Sequence, residues 1–285
     1  MNIPAADCLM GIFGYRRVMG NDTGISWTDC TWNPVTGCTP ASEGCANCYA
    51  ERMHKRGIFG KMPFSKVTLH PDRLEIPLHW RKPRKIFVCS MSDLFHDDIP
   101  DDFIDKVFAV MALCLQHTFQ VLTKRPVRML EYMSNPTRGY LITDAASKYF
   151  HKDFDPVKME RSFPFPNAWL GVTVENQARA DERIPLLLQT PAAVRFVSCE
   201  PMLSPINLTD LPVPGNDRGF CFDIPLVSCA PRDGTRMLHG CYRFLCSDRC
   251  SRDQYPGNAI FATCVFSGRS MFYRLNRGTF QQSRI

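Results

Sequence analysis

Apolar and polar positions follow one another along residues 85–208 in an order that predicts strands and helices in turn. Short apolar runs rich in β-branched and aromatic residues predict buried strands, whereas longer runs with apolar residues three and four apart predict helices. Residues 24–32 are a candidate for an earlier strand, and Trp27 and Trp32 are predicted to pack in the core. The four main predicted strands are KIFVCSMSD, FQVLTKR, AWLGVTVEN and AVRFVSCEP, at residues 85–93, 119–125, 168–176 and 193–201.

Helical patterns lie between these strands. Residues 97–116 predict a helix that begins near Pro100, because the acidic residues beside this proline suit the positive end of a helix dipole. Its apolar stripe consists of Ile104, Val107, Phe108, Met111 and Leu115. A short helix is predicted to open at Pro126, and residues 177–189 predict a helix that is bent or split at Pro185. Residues 134–166, with Pro, Gly and aromatic side chains, predict an irregular insertion.

The alternation of strands and helices predicts an α/β fold with a parallel sheet and helices packed outside it. A complete or partial (β/α) barrel is the first choice, and an open doubly wound sheet is the alternative. The sequence contains no GxGxxG or Walker-type phosphate loop that would favour the open sheet.

Each predicted strand ends in a group of polar or ionisable residues. The carboxyl ends of parallel strands lie at one edge of a sheet, where active sites of such folds are found, so these groups predict a shared site. One alternative is that strand ends are loops and loops are polar, which explains any single group. Another is a buried network of charges that braces this edge. The residues are Ser92 and Asp93, then Thr123, Lys124 and Arg125, then Glu175 and Asn176, and finally Ser198, Cys199 and Glu200.

Three cysteines, Cys38, Cys45 and Cys48, stand in a C-x6-C-x2-C arrangement within residues 31–57, in a stretch rich in Gly, Pro, Thr and Ser. Three thiolates from one loop can hold an iron–sulfur cluster and leave one iron open for a substrate or cofactor. Structural zinc with Cys30 or His54 as fourth ligand is a second interpretation, although the second paired knuckle typical of zinc sites is missing. The third interpretation is that the three thiols are unrelated to one another.

Composition favours a cytoplasmic protein. No run of about 18 apolar residues occurs, and the first twenty residues place their charges after the apolar patch, the reverse of a secretory signal. In a reducing compartment, closely spaced cysteines indicate metal or redox chemistry more often than disulfides. The expected partners are therefore a substrate of unknown identity and no membrane.

The tail after residue 215 differs from the rest of the chain. It carries ten Arg and five Asp but no Lys or Glu, so it holds most of the net charge of +6. Residues 1–215 are nearly neutral, which gives no support for a nucleic-acid groove in the main body. A frameshifted or divergent end explains the abrupt change. The alternative is a metal module built from Cys241, Cys246, Cys250 and Cys264.

Several sequence blocks together resemble a known family. SWTDCTWNPVTGCTPASEGCANCYAER, IFVCSMSDLFH, FQVLTKRP, WLGVTVENQ and RFVSCEPML are similar to the phage-associated three-cysteine-motif family, which is largely a domain of unknown function and is itself similar to radical S-adenosylmethionine (SAM) enzymes. The resemblance covers about residues 25–211. It implies three regions: an N-terminal extension at 1–24, a radical-SAM-like α/β domain at 25–215 with an insertion at 134–166, and a tail at 216–285.

The resemblance implies a partial TIM-like (β/α) barrel whose cysteine loop follows the first strand. The loop thiolates would bind three irons of a [4Fe–4S] cluster, and SAM would chelate the fourth and yield a 5′-deoxyadenosyl radical on electron transfer. The implied catalytic residues are Asp93, Lys124, Arg125, Glu175 and Glu200. The implied cofactor-binding residues are Tyr49, Ser92, Asp93 and Lys124. The usual radical-SAM spacing is C-x3-C-x2-C, so the longer first gap is a departure.

The expected function is therefore a SAM-dependent radical reaction on an unknown substrate, with nucleic acid as one candidate. The competing hypothesis is a non-enzymatic module, stabilised by zinc or a cluster, that binds nucleic acid or a partner protein.

Overall fold

A mostly parallel sheet lies at the centre of the protein in a computed structural model that describes residues 25, 27–57, 62–206, 260–266 and 269–272. Two further short strands pair with each other in an antiparallel ladder outside this sheet. The strands of the main sheet are β1 (Cys30–Trp32), β4 (Lys85–Val88), β5 (Thr118–Thr123), β6 (Ala168–Thr173), β7 (Val194–Ser198), β8 (Ile260–Phe266) and β9 (Arg269–Phe272). The antiparallel pair is β2 (Val35–Thr36) and β3 (Thr68–Leu69).

Strands of the main sheet are neighbours in the order in which they occur along the chain, β1-β4-β5-β6-β7-β8-β9. Every pair from β1 to β8 is parallel, and only β9 runs antiparallel to its neighbour. A doubly wound sheet reverses its strand order at a switch point, and the described strands show no such reversal. All carboxyl ends from β1 to β8 therefore lie at the same edge of the sheet.

The predicted strands are present, but each ends earlier than predicted. The strand predicted at 85–93 ends at Val88, and the one predicted at 168–176 ends at Thr173. The charged residues at the end of each pattern lie beyond the ladder, whereas Thr123 and Ser198 are still paired in it. The mixed α/β class and the parallel sheet predicted from the sequence are thus confirmed.

Six α-helices occur in the described chain, and α2 shows why they form where they do. Pro100 precedes the helix, and Asp101 and Asp102 occupy its first turn, as predicted. The helix ends at Leu113, so Leu115 lies beyond it and is 63 % exposed; its assignment to the apolar stripe was wrong. The helices are α1 (Tyr49–Lys55), α2 (Asp101–Leu113), α3 (Pro126–Ser134), α4 (Arg138–Tyr149), α5 (Pro156–Arg161) and α6 (Gln177–Gln189).

The irregular insertion predicted for residues 134–166 is wrong, because α4 and α5 occupy most of it. Helix α4 packs against α2, with Ile142 and Ala146 buried. Its first residue, Arg138, donates to Asp105 of α2 at 2.8 Å and is buried there. These long-range partners stabilise a helix whose Gly and Pro neighbours suggested a loop.

Helix α6 begins at the cap residue Asn176, whose side chain accepts a hydrogen bond from the Arg179 N–H at 3.0 Å. It continues as one helix through Pro185, so the predicted split is absent. Helix α6 packs on β6 and β7, which places its residue Arg183 beneath the carboxyl edge of β6.

The core lies between the sheet and its helices. Trp32 is buried in it, and Trp27 is buried against Phe87 and Phe196, so both tryptophans are buried as predicted. No helix in the described ranges is long and apolar enough to cross a bilayer. The predicted extension at 1–24 and the tail cysteines Cys241, Cys246 and Cys250 lie outside the described residues; the backbone at Cys264 is part of β8.

Candidate functional site

The cysteine loop, residues 37–48, leaves strand β2 and crosses the carboxyl edge of the main sheet. Gly37 begins it with a φ of +88°, a conformation that side chains rarely adopt. The Gly37 N–H donates to the Met91 carbonyl at 3.1 Å, and the Cys38 N–H donates to the Phe64 carbonyl at 2.9 Å. A single 3₁₀ turn, Glu43–Cys45, then leads to α1. The loop is thus fixed to the sheet from its first residue.

The three thiols of this loop are partly exposed. The Cys38 sulfur accepts from Arg125 Nη1 at 3.7 Å, and the Cys45 sulfur accepts from the Ala41 N–H at 3.5 Å. Burial, reinforced by the negative charge of Asp93, raises the pKa of the Cys38 thiol to about 11, although Arg125 opposes this shift. Cys38 is therefore protonated at neutral pH, and a metal ion would have to displace its proton.

Asp93 connects the ends of β4 and β5. Its Oδ1 accepts from the Phe95 N–H at 3.0 Å and from Thr123 Oγ1 at 2.7 Å. Its Oδ2 accepts from the Lys124 N–H at 3.0 Å and from Arg125 Nη1 at 3.3 Å. With four donors on one buried carboxylate, Asp93 connects the residues at this edge of the sheet.

Arg125 joins Asp93 to the cysteine loop. Besides its contacts with Asp93 and Cys38, its Nη2 donates to the Thr39 carbonyl and hydroxyl oxygens, both at 3.0 Å. The Thr39 hydroxyl also contacts Nε2 of the buried His96 at 2.7 Å. Although burial lowers the pKa of Arg125, the charge of Asp93 and the hydrogen bond to the Cys38 sulfur raise it overall. The guanidinium is a permanent cation whose donors face the loop and Asp93.

Glu175, at the end of β6, is the second carboxylate that connects several elements at this edge, and its side chain is fully buried. Its Oε1 accepts from Ser42 Oγ of the cysteine loop at 2.8 Å and lies 3.6 Å from Lys124 Nζ. Its Oε2 accepts from Arg183 Nη1 at 3.0 Å. Glu175 thus ties the loop, the end of β5 and helix α6 to one carboxylate.

The other predicted site residues lie around this network. Ser92 Oγ donates to the Val35 carbonyl at 3.0 Å, and the Tyr49 hydroxyl donates to the Ser90 carbonyl. Burial of that hydroxyl, together with the nearby Cys48, raises the pKa of Tyr49. Glu200 lies two residues after the end of β7 and is partly exposed. The structure thus brings Asp93, Lys124, Arg125 and Glu175 together with the cysteine loop.

Sequence reasoning missed Thr39, Ser42, Gly44, His96 and Arg183. Thr39 and Ser42 lie between the cysteines, where small polar residues suggest only a flexible loop. Arg183 lies on α6, eight residues after Glu175, which precedes the helix cap Asn176. Arg183 could have been found by asking which basic residues of the following helix can pair with a carboxylate at the end of a strand.

The residues fit the donor chemistry of an iron–sulfur cluster, because one loop supplies three thiols and two of them, Cys38 and Cys45, accept from N–H donors. Within the described ranges, no three His, Cys, Asp or Glu side chains are close enough to hold one metal ion. The thiolates of a cluster each bind a different iron, and so they stand further apart than thiolates that share an ion. Of the candidate zinc ligands, Cys30 is buried in β1, and the His54 ring contacts the Met62 carbonyl and stacks near Phe64.

Fold and site together define a mixed α/β protein whose mostly parallel sheet carries a cysteine loop across its carboxyl edge. The chain belongs to the family described as protein of unknown function (DUF5131), whose model matches residues 22–239. The search of curated proteins and the search of solved structures gave no match. The family match extends past residue 211, where the resemblance was expected to end. The phage association, the three-cysteine motif and the similarity to radical SAM enzymes stay predictions.

Proposed function

We propose that the cysteine loop binds a [4Fe–4S] cluster through Cys38, Cys45 and Cys48 and leaves one iron open for S-adenosylmethionine. The chain would then be a radical-SAM-like enzyme that acts on a substrate of unknown identity, with nucleic acid as one candidate. The observation that carries the proposal is the position of the loop, which is held at the carboxyl edge of a parallel sheet by Asp93, Arg125 and Glu175. Ligands of parallel α/β folds bind at this edge.

We further propose that the sheet is a partial (β/α) barrel. The strand order from β1 to β8 supports this, because a barrel is built from parallel strands that are neighbours in chain order. The helices that connect these strands would form its outer layer.

Two N–H donors of the chain would form hydrogen bonds with the cluster-binding sulfur atoms. Arg125 Nη1 and the Ala41 N–H donate towards Cys38 and Cys45, and such hydrogen bonds stabilise negative charge on cluster thiolates. A bound cluster and its ligand supply the one-electron chemistry, whereas the protein orients them and excludes water.

Lys124 is the residue best placed to bind the anionic end of the ligand. Asp93 pairs with Arg125 at 3.3 Å and Glu175 pairs with Arg183 at 3.0 Å, whereas Lys124 lies further from Glu175, at 3.6 Å. Its side chain is 22 % exposed at the edge, so it can reach a carboxylate or phosphate. Asp93 and Glu175 would organise the site, and Glu200, at the end of β7, would face the substrate.

The proposal predicts that Cys45→Ala abolishes cluster assembly. After anaerobic reconstitution with iron and sulfide, the wild-type full chain is expected to hold roughly four iron atoms and to show the absorbance of a [4Fe–4S] protein. Cys45→Ala should retain little iron, because the loop then keeps two thiolates. Cys114→Ala is the matched control, since Cys114 is buried at the end of α2 and away from the loop. Stoichiometric zinc without iron uptake would support the non-enzymatic zinc module instead.

A further inference from the structure

Six residues separate Cys38 from Cys45, and several of them contact the sheet. Thr39 receives two hydrogen bonds from Arg125 at 3.0 Å, and Ser42 donates to Glu175 at 2.8 Å. Glu43 accepts from Asn176, the cap of α6, and pairs with Arg179 at 3.4 Å. The long gap therefore extends across the ends of β5 and β6, where a shorter one would have fewer residues to contact them.

Glu175 is a rigid acceptor for this loop. Its side chain is fully buried, and Arg183, itself 1 % exposed, donates to Oε2 at 3.0 Å. The same Arg183 Nη1 donates to the Thr173 carbonyl at 2.7 Å, which fixes the guanidinium against the end of β6. Ser42 thus binds an oxygen whose position is set by the sheet and by α6, and its hydrogen bond is strengthened by the charge of the carboxylate.

Gly44 allows the loop to lie directly on Glu175. A Cβ atom at this position would lie 2.4 Å from Glu175 Cγ and 2.5 Å from Oε1, closer than any non-bonded contact permits. Since Gly44 immediately precedes Cys45, this close approach sets where the second thiol of the motif stands.

We propose that Glu175 is a positioning residue that holds the cysteine loop in its binding conformation before any metal arrives. Ser42 and Gly44 are the loop residues through which it acts. The effect on thiol positions depends only on the contacts above, whereas its consequence for cluster assembly rests on the proposed function. Glu175 is thus assigned the support of the loop in place of the catalytic role that the resemblance implies.

The test measures how fast each thiol is alkylated in the metal-free full chain. Protein prepared with a chelator is pulsed with iodoacetamide under native conditions, and the modified peptides are quantified by mass spectrometry. Ser42→Ala and Glu175→Gln are each expected to raise the alkylation rate of Cys45 by roughly tenfold, because loss of a charge-assisted hydrogen bond lets the loop open more often. The double variant should exceed the larger single effect only slightly, since both changes remove one contact.

Two controls separate support of the loop from support of the fold. Glu43→Gln changes a neighbouring exposed loop carboxylate and is expected to leave the Cys45 rate within about twofold of wild type. Cys89 and Cys199 are buried in the same chain and should stay unreactive in every variant. Should Glu175→Gln fail to fold, Ser42→Ala decides the question alone, because Ser42 is not part of the core.

The proposal is overturned if Cys45 in Ser42→Ala reacts at the wild-type rate. It is also overturned if the buried thiols become reactive together with Cys45, since Glu175 would then support the whole fold. Iron content, measured separately on reconstituted protein, distinguishes this failure from that of the proposed function. If the chain takes up no iron but shows the predicted alkylation pattern, the positioning role of Glu175 is supported and the proposed cluster is contradicted.

Discussion

Arg183→Met is expected to lower the free energy of unfolding by about 3–5 kcal/mol, because it leaves the buried Glu175 carboxylate without its close cation. The two side chains are 1 % and 0 % exposed, and Oε2 has Arg183 at 3.0 Å as its partner. Methionine keeps most of the apolar volume, so the loss reports on the charge and its hydrogen bonds. The midpoint of urea unfolding measures it.

Arg179→Met is the matched control on the same helix. Arg179 also pairs with acidic residues, Glu43 and Glu182, but its side chain is 30 % exposed, and exposed pairs contribute at most about 1 kcal/mol. Equal shifts of the urea midpoint in the two variants would mean that the Arg183–Glu175 pair does not brace the sheet edge.

Gly37→Ala is expected to destabilise the protein by about 2–5 kcal/mol, the combined cost of a left-handed residue and of overpacking. The residue has a φ of +88°, and an added Cβ would lie 2.2 Å from the Lys66 carbonyl oxygen. Since that oxygen belongs to the backbone, the alanine can be accommodated only if the entry to the cysteine loop moves. Urea unfolding of the metal-free chain measures the loss.

Gly57→Ala separates the conformational cost of a left-handed residue from the cost of overpacking. Gly57 also has a positive φ, of +78°, but an added Cβ would meet nothing within 4 Å. Its substitution should therefore cost only the conformational part, about 1–2 kcal/mol. If both variants lose the same stability, the close approach of the loop to Lys66 contributes nothing.

The sequence predicted the sheet because its strands carry strong local signals. Runs such as KIFV and WLGVT are apolar on both faces, as strands of a parallel sheet that is buried on both sides require. The polar residues after them predicted correctly which side chains lie together, since parallel strands place their carboxyl ends at one edge. Asp93, Lys124, Arg125 and Glu175 could therefore be chosen before their contacts were known.

Other features depend on partners far away in the chain, and no local pattern reveals them. Ser42 and Glu175 are 133 residues apart, and Arg138 of α4 is stabilised by Asp105 of α2. Leu115 continues an apolar period but follows the end of its helix, where packing no longer reaches it. Helix α4 was missed because Gly139 and its proline neighbours suggested a loop, although its buried face has helical spacing.

Both interpretations of the C-terminal tail, a frameshifted or divergent end and a metal module of cysteines, stay predictions. The backbone of Ile260–Phe266 continues the parallel sheet beside β7, and the family match ends at residue 239, within the segment of unusual composition. Whether a frameshift produced that composition stays a prediction.

Electron paramagnetic resonance of the reduced, reconstituted chain, recorded before and after addition of S-adenosylmethionine, tests the central claim most directly. A cluster held by Cys38, Cys45 and Cys48 is predicted to give a [4Fe–4S] signal whose g values shift when the ligand binds the open iron. The shift should weaken in Lys124→Ala, because the anionic end of the ligand loses its cation. Absence of a signal from a folded chain that has bound zinc would contradict the account.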